Sequence, residues 1–64
     1  MHYFIEIYDK SSNHVGTRSL RAVTEGGAKS EARAILATLP PDHVIRLFVQ
    51  PERENYSLIA TLPR

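Results

Sequence analysis

Asp9, Ser11, Ser12 and His14 fall close together, and they are the residue types of a hydrolytic triad. Such chemistry needs an oriented nucleophile, a base within hydrogen-bond reach and a prearranged oxyanion hole. The segment Asp9-Lys10-Ser11-Ser12-Asn13 offers none of these and reads as a solvated turn. The three histidines, His2, His14 and His43, are metal-ligating types. Zinc, however, requires ligands that converge at about 2 Å. In the arrangement derived below, His14 and His43 share one end of a sheet with about 9.5 Å between their backbones, and His2 lies at the other end. No metal and no cofactor is therefore expected. Gly26-Gly27 has the composition of a phosphate-binding turn, but no Walker or dinucleotide pattern follows it. A loosened helix start explains the pair better.

The basic residues raise a further chemistry. Arg18, Arg21 and Arg46, set beside exposed aromatic rings, are the ingredients of a sheet platform for single-stranded nucleic acid. Against it stands the balance of eight Lys plus Arg with seven Asp plus Glu. Nucleic-acid binders depend on a larger basic excess to neutralise phosphates. No RNP-type motif is present, and Glu52 and Glu54 would repel a nearby phosphate backbone.

These side chains are positioned by a short series of elements. Tyr3–Tyr8 is β-branched and aromatic and reads as a strand, closed by the turn formers that follow. A second strand is expected from about Val15 to Val23, with polar residues that suit a sheet edge. Thr24 is an N-cap type and Glu25 suits the positive end of a helix dipole. The two glycines predict a helix that settles only from Ala28 onward, with Ala28, Ala32, Ile35, Leu36 and Leu39 on one stripe. Pro40-Pro41 stops it. His43–Gln50 and Tyr56–Leu62 read as further strands, joined by a polar turn at Pro51–Asn55. The fold class is α+β: residues 1–64 form one two-layer ββαββ domain, a four-stranded antiparallel sheet of order 2-1-3-4 with one helix packed on one face.

Alternation within the strands assigns the faces. Tyr3, Ile5 and Ile7 are uncharged, as are Ile45, Leu47 and Val49, whereas Glu6 and Arg46 stand on the alternate positions. Pairing Phe4 with Phe48 places Glu6 opposite Arg46 and Tyr8 opposite Val44 on one face, and Ile5 opposite Leu47 and Ile7 opposite Ile45 on the other. A cross-strand ion pair between Glu6 and Arg46 is the expected outcome. Leu20, Ala22, Leu58, Ala60 and Leu62 are expected to point inward, with Ile59 outward. Phe4, Tyr8, Val44, Phe48 and Ile59 are then left on the face the helix does not cover, around Glu6 and Arg46. An apolar patch of this kind marks an interaction surface.

Size and composition bound what that surface can be. A domain of 64 residues without cysteine buries only about 60% of its unfolded surface and has no disulfide to help it. Self-association is one way to gain burial, and two-fold homodimers are the commonest form. No apolar run approaches the roughly 20 residues that span a bilayer, and the amino terminus lacks the pattern of a signal peptide, so a soluble cytoplasmic protein without membrane contact is expected. The expected function is a non-enzymatic protein-binding module that docks its open sheet face or an edge strand on a protein partner or on itself. Phe4, Tyr8 and Phe48 are the expected hot spots. Nucleic-acid binding through Arg18, Arg21 and Arg46 is the alternative. In size and architecture alone, as a free-standing cysteine-free mini-domain, the chain is similar to small phage-encoded inhibitors of host machinery, including anti-CRISPR proteins. That likeness implies an inhibitor of phage or mobile-element type.

Overall fold

In the computed structural model, which describes residues 1–51 and 55–63, the β-branched and aromatic runs form β1 (His2–Tyr8), β2 (His14–Ser19), β3 (Val44–Gln50) and β4 (Ser57–Pro63), with one helix, α1 (Glu25–Leu36), after β2. Every pairing is antiparallel and the spatial order is β2-β1-β3-β4. The β1–β3 register is the predicted one: Phe4 faces Phe48, Glu6 faces Arg46 and Tyr8 faces Val44. Alternation then sends Tyr3, Ile5, Ile7, Ile45 and Leu47 to the helix side, where they are buried with Leu20, Ala28, Ala32 and Leu36. The helix lies against β3, β1 and β4. With Ala28 and Ala32 fully buried on its inner stripe, its backbone can approach the sheet closely.

Two elements, the helix and β2, have bounds that differ by more than one residue from those the sequence predicts. The helix starts at Glu25 rather than Ala28, because Thr24, in extended conformation, caps it: its Oγ1 accepts from the Gly27 N–H at 3.1 Å. The Lys29–Glu25 ion pair at 3.2 Å ties the same turn. The helix ends at Leu36, and Leu39 packs on the core from a tightened turn closed by Thr38 N–H to Ile35 and Leu39 N–H to Leu36. β2 stops at Ser19 rather than Val23. Beyond it, the Arg21 and Ala22 N–H groups leave the sheet and donate to the Glu31 carboxylate on the helix at 3.0–3.1 Å. Leu20 is buried and Ala22 packs against the core, both inward as expected.

A third difference changes a face. The β3–β4 register shifts between Leu47 and Phe48, so that Leu47 faces Ala60 while Phe48 faces Leu58, and Ile59 is the extra residue of a β-bulge. Ile59 therefore packs against the core, contrary to its expected outward position, and Leu58 shares the outer face of Phe48, contrary to its expected inward one. β2 carries a second irregularity: Tyr8 faces His14 and Ile7 faces Gly16, which leaves Val15 unopposed. Both edge strands of the sheet are thus bulged. Glu52, Arg53 and Glu54 of the expected polar turn lie outside the described residues.

Candidate interaction surface

The helix-free face divides into an aromatic half and a polar half. In the aromatic half the Phe4 and Phe48 rings stack with centroids 5.0 Å apart and an interplanar angle of 13°. Tyr56 meets both edge-on, at 5.5 and 5.3 Å, and His2 stacks on Phe4 at 6.0 Å. These contacts come from register: Phe4 and Phe48 are direct cross-strand partners, and Tyr56 lies two residues before Leu58, the β4 partner of Phe48. Their effect is to bury Phe48 to 8% exposure without a second protein layer, which corrects the expectation that it stands open to solvent. The exposed apolar groups are instead Tyr56 at 57% and Leu58 at 53%. Phe4 is half-buried, with Tyr56 edge-on to its ring.

In the polar half, Glu6 and Arg46 face each other across β1 and β3 but do not form the expected ion pair. Both converge on Tyr8. The Tyr8 hydroxyl donates to Glu6 Oε1 at 2.6 Å, and the Arg46 guanidinium carbon lies 4.7 Å from the centre of the Tyr8 ring. Among the described residues the ion pairs are Lys29–Glu25 and Asp42–His43, so neither Glu6 nor Arg46 has a partner of opposite charge among them. The hydrogen bond to Glu6 foremost, with partial desolvation and the Glu6 charge, raises the Tyr8 phenol above its ordinary value, while Arg46 acts in the opposite direction. His14 approaches the Tyr8 ring edge-on at 5.5 Å, and Val44, half-buried, faces Tyr8.

The remaining candidate residues are not brought together. Arg18 faces Ile5, whose side chain is in the core, so Arg18 lies on the helix side of β2 and not beside Arg46. Arg21 lies past the end of β2, held through its backbone by Glu31. The histidines are also dispersed: His14 Nε2 is 2.9 Å from Thr17 Oγ1, His43 Nδ1 is 2.7 Å from Asp42, and His2 is near Ser19 at the far end. Among the described residues no group of metal-ligating side chains could hold an ion. The Asp9 carboxylate is taken up in its own turn, accepting from the Ser11 and Asn13 N–H groups at 2.9 and 3.0 Å. The Asn13 backbone bond foremost, then Ser11, the Asn13 side chain and nearby His43, lower its pKa against a raising effect of desolvation.

Sequence reasoning missed Tyr56 and Leu58. The two share parity and are both apolar, so a signal existed. The more regular Leu58-Ala60-Leu62 alternation drew Leu58 inward, and a bulge of one residue leaves no trace in such a pattern.

Fold and surface together define an α+β mini-domain with an uncovered, partly aromatic sheet face. No family model, curated protein or solved structure matches the chain. Among the described residues no helix is long and apolar enough to cross a membrane.

Proposed function

We propose that the chain is a non-enzymatic protein-binding module that docks through its helix-free sheet face. The observation that carries the reading is the exposed pair Tyr56 and Leu58 seated around the Phe4–Phe48 stack, with Arg46 on the same face. Aromatic, apolar and arginine side chains grouped in this way are the composition of interface hot spots. Docking by strand addition is the weaker route, because bulges at Val15 and Ile59 interrupt both edge strands, a device that discourages edge pairing. On size and architecture alone we place the module among small inhibitors of the phage or mobile-element type, anti-CRISPR-like in form. We place its action in the cytoplasm, where a cysteine-free chain loses nothing to reduction.

The test is a photoreactive amino acid substituted for Leu58 and, as a control, for Ala34 on the exposed side of the helix, in the cells the chain comes from. Protein adducts from position 58 and none from position 34 are expected. Equal labelling from both positions, or none from position 58, overturns the reading. Nucleic-acid adducts from position 58 would move the assignment to the alternative, binding of single strands by Tyr56, Phe4 and Arg46. In that case affinity would fall steeply with salt. The alternative draws support from the exposed Tyr56 ring, but it loses Arg18 and Arg21, which lie off this face.

A further inference from the structure

We infer that the occupant of the open face is a second copy of the same chain, stacked sheet on sheet about a two-fold axis that runs parallel to the strands between β1 and β3. The inference rests on the face being an interaction surface and specifies what covers it.

Charge complementarity selects this geometry. Among the described residues the face carries one carboxylate, Glu6, and one guanidinium, Arg46, directly opposite across β1 and β3, and neither is ion-paired with another described residue. A two-fold interface must be self-complementary, with each contact made twice. An axis parallel to the strands turns every β1–β3 cross-strand pair into a cross-sheet pair. Glu6 then meets Arg46 of the partner subunit, Arg46 meets Glu6 of the partner subunit, and the Phe4–Phe48 stack lies against its own image. An axis at right angles to the strands at the same level would set Glu6 on Glu6 of the partner subunit and Arg46 on Arg46 of the partner subunit. Like charges so placed disfavour that packing. Sheets packed face to face stand about 10 Å apart, which Glu and Arg side chains bridge from opposite sides. A formal net charge of +1 adds little repulsion between copies.

Area sets the strength. Strands about 4.8 Å apart and about seven residues long make a face of roughly 19 by 23 Å, so two of them bury on the order of 900 Å². That lies at the low end of specific interfaces and makes the dimer concentration-dependent.

Sedimentation equilibrium up to about millimolar protein reads the association, with circular dichroism to confirm that each variant is folded. The wild type should dimerise. Glu6→Arg and Arg46→Glu should each weaken association at least tenfold, because each places like charges across both cross-sheet contacts. An equimolar mixture of these two variants should form a heterodimer, since the contacts then become Glu6 with Arg46 and the introduced Arg with the introduced Glu. The doubly substituted chain should dimerise as the wild type does. A wild type that stays monomeric throughout, single variants that associate normally, or a mixture that fails to pair would each overturn the inference. A monomeric wild type that still forms adducts with another protein from position 58 would leave the docking face standing and remove only the second copy as its occupant.

Discussion

Tyr8 holds Glu6 and Arg46 apart by engaging both, so the polar half of the face depends on one phenol staying protonated. A folded-state pKa above the unfolded one means that the hydrogen bond to Glu6 contributes in full below the ordinary phenol range near 10 and is lost as pH rises through the folded value. Glu6→Gln should bring the Tyr8 midpoint back toward that ordinary range, read by tyrosinate absorbance against a Tyr8→Phe reference. An unmoved midpoint would exclude Glu6 as the cause. Asp9 behaves in the opposite sense. Its lowered pKa means that the ionised carboxylate supports the hairpin turn above the ordinary carboxyl value near 4, and that this support is lost as pH falls through the folded value. The stability advantage of the wild type over Asp9→Asn in urea titrations should therefore shrink between about pH 5 and pH 2. A pH-independent difference would show that the turn does not use the charge.

At the scale of single elements, the helix start offers the sharpest contrast. A methyl group added at Gly26 would meet nothing within 4 Å, whereas one added at Gly27 would lie 3.1 Å from the Thr24 Oγ1 that caps the helix. Gly26→Ala should stabilise the fold by about 0.5–1 kcal/mol through reduced unfolded-state freedom. Gly27→Ala should fall about 1 kcal/mol short of it, because the cap must shift to admit the methyl. Thermal melts of the two variants check this. Sequence pattern carried most of the architecture because β1 and β3 alternate cleanly and their charges, Glu6 and Arg46, agree on one register. It misplaced Leu58 and Ile59, because the apolar alternation Leu58-Ala60-Leu62 runs on through the bulge without a break. It also missed the early end of β2, since the acceptor that draws the Arg21 and Ala22 amides away, Glu31, lies about ten residues further along the chain. Of the expected surface, Phe4, Glu6, Tyr8, Val44, Arg46 and Phe48 do share one face, but Phe48 is packed edge-on by Tyr56, whose shared parity with Leu58 the regular Leu58-Ala60-Leu62 alternation outweighed.

For the whole molecule, one small core with no buried polar side chain among the described residues leaves little stability in reserve. A dimer that buries the second face of the sheet adds to that reserve only in proportion to the logarithm of concentration. The melting temperature should therefore rise as wild-type protein is concentrated and stay flat for Arg46→Glu, as followed by scanning calorimetry. A flat wild-type series would argue that the core alone sustains the fold. The bulge in β4 has a consequence of another kind. Removing a residue from a strand ordinarily turns every later side chain over. Ile59 is the exception, because Leu58 and Ala60 already face adjacent residues of β3, Phe48 and Leu47. The strand thus carries a spare syllable: taken out, it leaves the sentences before and after it in step.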